Sequence, residues 1–476
     1  MWKGGGRKES EEAREKRSIS QEAFDDLVKE NIEELGMDPA EALQDAIDTL
    51  SLQVVDLSGI VMVVPGEGSP ANDPTLQSIR EIEAFTKEQL SIPEVRNLFH
   101  QLSSSLTATP SSASIAVKNR GIEVIWSACL NLPFPSQPEV LASGLKLLSA
   151  LIYDLQATEK FRLINGPEKL IHFLKNSNCV TLLDAGYSLV ASAAKGNEVA
   201  KEIFINSGIG DLIVKSLDQH IVPVYDAICV LLTADDNRVV ASQVYGYARS
   251  FAEIGIPKAL TSIISSTSSS TLVLSSAMRA LKAAAVNDEI CKSIAEAGGV
   301  GAILRCAALG DAASAKACCT MLCKLAGSDS NKAAIVEAGG VRALLEVARR
   351  IAGDPAVVAE VMAVMAAVCL RSPENARRVV EDGGGELAVE AMERFPSVAL
   401  VQRSSCLMIR NLVVRNGENR CGVNFSDVGF GLIFGYRKIL LDGGVEGLIT
   451  KVKALHVSCR EAANDALRDL GLEYPK

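Results

Sequence analysis

A glycine at the junction of a short and a longer helical pattern recurs at Gly166, Gly208, Gly255, Gly298, Gly339, Gly383 and Gly443. The gaps are 42, 47, 43, 41, 44 and 60 residues, so six of the seven units keep a period near 43. That period belongs to solenoid repeats of two or three helices, in which each unit buries its apolar face only against its neighbours. A chain of 476 residues would otherwise suggest about three domains of ~150 residues, an estimate that a repeat array ignores. Composition agrees with stacked helices. The chain is 48% apolar but only 4% aromatic, and its Ala, Leu, Val and Ile suit close-packed helices better than aromatic-rich sheets. So much apolar content excludes a wholly disordered chain.

Along the chain, residues 1–17 mix glycine with dense charge and read as a disordered tail. Residues 18–64 form an acidic helical hairpin. Ser20 is its first N-cap, Phe24, Leu27, Val28, Ile32 and Leu35 follow helical spacing, and Asp38 and Pro39 open the second helix. Residues 65–74 (PGEGSPANDP) read as a linker. Residues 75–156 are expected to be N-terminal capping helices and a partial repeat, with helices near 75–105, 113–131 and 138–155. About seven repeats then fill 157–476. Their third helices are expected at Thr181 to Ala194, Val222 to Thr233, Leu272 to Ala285, Ala313 to Ala326, Val357 to Leu370, Val398 to Val413 and Ser458 to Leu470.

The local pattern is more specific than the period. NKAAIVEAGGVRALL from Asn331, IAEAGGVGAIL ending at Leu304, NARRVVEDGGGELAV from Asn375 and KILLDGGVEGLI from Lys438 resemble the armadillo repeat. In that family a short first helix ends at a glycine corner, a second helix follows at once, and a longer third helix completes the unit. Ser20 to Leu50 together with VDLSGIV at Val55 to Val61 extends the likeness to the armadillo repeat-containing protein 6 family, over nearly all of the chain beyond residue 17. The resemblance implies an all-α, right-handed superhelical armadillo-type solenoid with an N-terminal helical hairpin. It also implies a non-catalytic scaffold that binds a partner peptide or helix along a concave groove. A nuclear-transport or signalling adaptor of the same class is the alternative.

The gap of 60 has a local cause. Excising Cys421 to Tyr436 shortens it to 44 and brings the Asn419-to-Gly443 spacing to 8, as between Asn331 and Gly339 and between Asn375 and Gly383. The segment carries four aromatics and no helical period, so 421–436 reads as an insertion inside a first helix. It is either a partner-binding loop or a splicing or gene-model artefact. Transcripts spanning Arg420 and Arg437 decide between them.

Little in the chain points to catalysis or metal binding. The four histidines, His100, His172, His220 and His456, stand alone, without metal-helix spacing. Cys318, Cys319 and Cys323 share one helix, but no second pair follows at zinc-ribbon spacing, and they read as small core hydrophobes. The double glycines recur in units without purpose for a phosphate, so they read as corner devices. No enzyme, cofactor or metal is expected. A formal charge of −10 disfavours nucleic acid as a partner. The longest helix-like apolar run, Val357 to Leu370, falls short of a bilayer span, so no membrane crossing is expected. Twelve cysteines in a long chain without a signal-like segment suggest a reduced cytoplasmic and/or nuclear setting.

The resemblance places the groove on the third helices. Armadillo proteins that bind nuclear localisation signals carry a Trp and, four residues later, an Asn there; only Asn411 stands at such a position in this chain, which argues against an import receptor. The stripe instead holds Arg279, Lys282, Lys316, Thr320, Lys324, Arg403, Leu407, Arg410 and Asn411. Arg and Lys arrayed along one wall would select an acidic peptide segment. Residues 20–52 carry ten carboxylates against Lys29 alone, whereas everything from Gln53 onward nets only −3. The hairpin is therefore a possible intramolecular competitor for that stripe. If it competes, removing residues 1–60 raises partner affinity at low salt.

Overall fold

The structure is a computed structural model that describes residues 18–64, 72–88, 91–234, 241–266, 270–413 and 436–472. The expected tail, most of the expected linker, and the insertion up to residue 435 lie outside the described residues. Among those described there is no β-strand. The chain divides into two compact units, Met1–Phe204 and Ile205–Lys476.

The first unit opens with α1 (Gln21–Glu33) and α2 (Pro39–Leu52). Ser20 Oγ accepts from Ala23 N–H, and Asp38 caps α2 through Ala40 N–H. Phe24, Val28, Ala42, Ala46, Leu50 and Ile60 make a core belonging to the hairpin itself. The returning strap is tied to the helices that follow: Asp56 pairs with Lys118 at 3.0 Å, and Gly59 packs so close to the Lys118 stem that a Cβ would collide with it. Hydrogen bonds from the Ser58 side chain and backbone, then Lys118, hold the Asp56 carboxyl down at about 2.

Next come α3 (Pro74–Glu88), α4 (Ile92–Ala108), α5 (Ser112–Lys118), α6 (Gly121–Asn131), α7 (Pro138–Leu151), α8 (Leu155–Leu163), α9 (Gly166–Lys175) and α10 (Val180–Ala194). The segment expected to hold three helices, 75–155, holds five. The first expected range is covered by α3 and α4. The second is divided at Arg120, which turns the chain with φ 63°. Helices α5, α6 and α7 are thus a complete three-helix unit, where a partial repeat was expected. The corner escaped notice because an arginine occupies it.

In the second unit the triplets repeat. After α11 (Glu198–Asn206) come α12 (Ile209–Leu217) and α13 (Val222–Leu231), then α14 (Ala241–Glu253), α15 (Ile256–Ser265) and α16 (Thr271–Ala284). Helices α17 (Asp288–Glu296), α18 (Gly299–Leu309) and α19 (Ala312–Leu325) precede α20 (Asp329–Glu337), α21 (Gly340–Arg350) and α22 (Pro355–Cys369). Then follow α23 (Pro373–Glu381), α24 (Gly384–Arg394) and α25 (Ala399–Val413), and finally α26 (Tyr436–Asp442), α27 (Val445–Leu455) and α28 (Arg460–Asp469). The third helices fall within two residues of the ranges read from periodicity. They lie side by side in the order α13, α16, α19, α22, α25, α28, and the second helices α12 through α24 form a parallel row.

Each triplet turns at a residue of positive φ, and the double glycine there divides its work. Gly298, Gly339 and Gly383 take φ 79°, 74° and 91°, a conformation that costs an L-residue with a side chain about 1–2 kcal/mol. The second glycine, Gly299 or Gly340, has negative φ, but a Cβ on it would sit 2.6 or 2.5 Å from the carbonyl oxygen five residues earlier. One glycine bends the chain and the next lets two helices touch. Two corner positions differ from the periodic reading. The left-handed residue is Asn165 in place of Gly166, which instead packs on the Phe161 ring, and Gly444 in place of Gly443, because Val445 can begin α27 with its side chain buried.

First helices are capped by Asp154, Asn197, Asn287, Ser328 and Ser372, each accepting from the N–H three residues on. Cations close helix C-termini. Arg350 donates to Ala307 and Gly310 carbonyls of the preceding triplet at 2.8 Å, and the buried Lys332 donates to Leu370 O at 2.8 Å. These carbonyls have no intrahelical partner, and positive charge suits that end of the dipole.

Candidate functional site

All nine candidate groove residues lie on third helices of the second unit. Arg279 and Lys282 are on α16; Lys316, Thr320 and Lys324 on α19; Arg403, Leu407, Arg410 and Asn411 on α25. Neighbouring third helices bridge one another through this row, and the bridges consume part of the stripe.

Arg279 Nη2 meets Asp226 Oδ1 of α13 at 3.0 Å, with both side chains well exposed. Thr320 Oγ1 lies 2.8 Å from Lys316 O and 3.2 Å from Glu360 Oε2 of α22. Arg410 reaches α28 twice, to Asp465 and Asp469, at 3.1 Å each. Asn411, placed in the stripe from the sequence, is buried and donates an amide hydrogen to Ala366 O at 2.8 Å. Helix packing turns the residue toward α22, where one of its amide hydrogens is used. Arg279 and Arg410 are likewise engaged within the chain.

The remaining cations differ. Lys282, Lys316, Lys324 and Arg403 are exposed, and among the described residues none forms an ion pair. Leu407, half-buried, follows Arg403 by one helical turn on α25. Beneath, Cys318 and Cys319 are fully buried, and burial with Glu360 nearby pushes the Cys323 thiol up to about 12 despite the counter-effect of Lys282. Cys318 and Cys319 pack as core, with Cys323 half-buried beside them. Among the described residues no group of three or more His, Cys, Asp or Glu side chains could hold a metal, and no helix is long and apolar enough to cross a membrane.

The first unit repeats the lateral arrangement on α4, α7 and α10. Arg96 faces Glu139 at 3.9 Å, Lys146 faces Asp184 at 3.4 Å, and the hydroxyls of Ser149 and Ser192 lie 2.9 Å apart. The sequence reading put no candidate residue on α4 or α7, because α5, α6 and α7 were not seen as a full repeat.

Triplets of helices, turned at left-handed corners and stacked row on row, define an armadillo-type repeat protein. Residues 16–83 match the family described as Armadillo repeat-containing protein 6 N-terminal domain. The chain is 28% identical over 389 residues to Armadillo repeat-containing protein 6 of Pongo abelii, covering 75% of each chain. It is 26% identical to the Drosophila melanogaster homolog, over 77% of this chain and 80% of the relative. Among solved structures, an engineered protein superposes with TM-score 0.67 at 19% identity, covering 94% of this chain and 98% of that one. A chain from a study of the interaction between cadherin and β-catenin gives 0.55 at 15%, covering 81% and 69%. These two likenesses speak to fold alone.

Proposed function

We propose that the protein is a protein-interaction scaffold whose second unit receives an acidic partner segment on the exposed faces of α16, α19 and α25. One observation carries the reading: Lys282, Lys316, Lys324 and Arg403 have no ion-pair partner among the described residues, whereas Asp226, Asp465 and Asp469 in the same row are matched by Arg279, Arg410 and Arg468. The unspent charge of the row is positive, and a carboxylate-rich segment complements it. Leu407, one turn from Arg403 on α25, offers such a segment an apolar contact.

The test is charge reversal. Lys316→Glu, Lys324→Glu and Arg403→Glu together are expected to weaken capture of a co-purifying partner about tenfold or more at 50 mM salt, with the difference shrinking at 300 mM salt. Partner capture by the triple variant equal to that of the parent chain at both salts would sink the proposal. Arg279→Ala serves as a control, because its charge is already matched.

A further inference from the structure

We infer that the seam between α21 and α24 is a socket for the C-terminal residue of a partner chain, with two arginines for its carboxylate and a small apolar cavity for its aliphatic side chain. The socket lies where second helices turn into third helices and uses none of the cations of α16, α19 and α25. Neighbouring seams are closed. Arg350, eleven residues past its corner Gly339, spans from α21 to α18 with 2.8 Å hydrogen bonds to Ala307 O and Gly310 O. Between α27 and α24, His456 Nε2 lies 2.8 Å from Pro396 O. Arg394 has on α24 the place of Arg350 on α21, eleven residues past Gly383, yet among the described residues its guanidinium makes neither an ion pair nor a hydrogen bond. The cause is local. Two residues join α18 to α19 but four join α21 to α22, and the longer connection turns Ile351 O, the counterpart of Gly310 O, onto Asp354 N–H at 3.0 Å. Arg394 loses that acceptor, and the seam stays open.

The opening is a cavity of about 180 Å³. Sites for whole organic ligands run to ~300–1,000 Å³, so this one takes a single side chain. Buried Val358 and Ala391 and half-buried Phe395 give it an apolar floor, and its charged lining is Arg349, Arg394 and Glu390. Arg349, like Arg394, is exposed and has no ion pair among the described residues. The helix dipole accounts for a cation in the last turn of each helix, but it leaves both guanidinium forks unused. Two arginines against one glutamate leave the lining at +1, which one carboxylate balances and a doubly charged phosphate exceeds. The fork geometry of arginine also suits a carboxylate. A carboxylate and an aliphatic group on the same residue is the chemistry of a chain ending in Leu, Ile or Val. An internal Asp or Glu brings the anion without the group that covers the floor.

The probe is a set of synthetic octapeptide pools ending in Leu, Ile or Val, each made with a free and with an amidated C-terminus and titrated into the full chain by fluorescence anisotropy. Four proteins are compared: the parent, Ala352→Phe, Arg394→Gln and Arg305→Gln. Ala352 lines the cavity half-buried, and Arg305 is an exposed arginine of α18 outside it. The free-carboxylate pools are expected to bind the parent, and amidation should weaken them about tenfold or more. Ala352→Phe, which fills the cavity, should weaken them as much, Arg394→Gln about fivefold, and Arg305→Gln not at all. Circular dichroism melts of the three variants are expected to match the parent. Equal binding of free and amidated peptides, parent-like binding by Ala352→Phe, or no binding by any pool would overturn the socket. So would amidated peptides ending in Glu that bind as tightly as the free Leu pool, because they would assign the arginines to an internal acidic segment. Either failure leaves the reading of the α16, α19 and α25 face standing, since that is tested on Lys316, Lys324 and Arg403.

Discussion

Gly340→Ala is expected to destabilise the protein by about 2–3 kcal/mol, more than Gly339→Ala, although Gly339 is the residue with the forbidden-looking backbone. The order follows from what each glycine does. Gly339 has φ 74° and nothing within 4 Å of where a Cβ would stand, so alanine there carries only the left-handed penalty of about 1–2 kcal/mol. Asparagine, which tolerates that region, should cost less. At Gly340 the new Cβ would be 2.5 Å from Ile335 O and 2.8 Å from the Ile335 side chain. Backbone cannot swing aside as a side chain can, so α20 and α21 must separate, and overpacking of this kind costs about 1–3 kcal/mol. Gly353, in open space without positive φ, is the control, expected to change by less than about 0.5 kcal/mol. Urea melts measure the order. Hydrogen exchange should place the loss in α20 to α22, because a repeat array is stabilised locally between neighbours. If Gly340→Ala and Gly353→Ala melt alike, the close-approach account of the double glycine fails.

The same pair of residues marks how far the sequence could be read. A recurring glycine and the apolar period of the third helices were enough to place most triplets, because both are local: one is a backbone requirement, the other a helical face. The reading missed the triplet at Arg120, whose corner residue is neither Gly nor Asn, and no signal short of the following Gly121, itself pressed against Ala116 O, could have suggested it. Candidate site residues fell on third helices, as the period placed them, yet their engagement was illegible. Arg279 and Asp226 are 53 residues apart, and Arg410 and Asp469 are 59. Whether such residues meet depends on how one third helix is rotated against the next, and a shift of one residue turns a helical side chain by ~100°. Lys201 and Lys332 make the same point from inside. Pattern reading puts lysines on the surface, whereas here both are buried and Lys332 is spent on a helix C-terminus and Asp329.

Arg410→Ala is expected to cost about 2 kcal/mol of stability while leaving the intrinsic affinity for a partner unchanged, the reverse of what a groove contact would do. Arg410 is two-thirds covered and ties α25 to α28 through Asp465 and Asp469, the latter only 6% exposed. Removing one partner of a buried pair leaves a carboxylate uncompensated, which typically costs about 3–5 kcal/mol. Here the loss is smaller because Arg468 still reaches Asp469 at 3.2 Å from the solvent side. Arg279→Ala breaks a pair whose members are 56% and 40% exposed, and exposed pairs are worth under about 1 kcal/mol. The two arginines look equivalent in sequence and should differ clearly in a urea melt. Raising salt should barely alter the Arg410 deficit, since covered pairs are weakly screened. Hydrogen exchange is expected to show α28 opening first, with its amides losing protection before those of α25. A stable Arg410→Ala protein that captures its partner poorly would return Arg410 to the binding stripe and cut the proposed division between stacking and recognition.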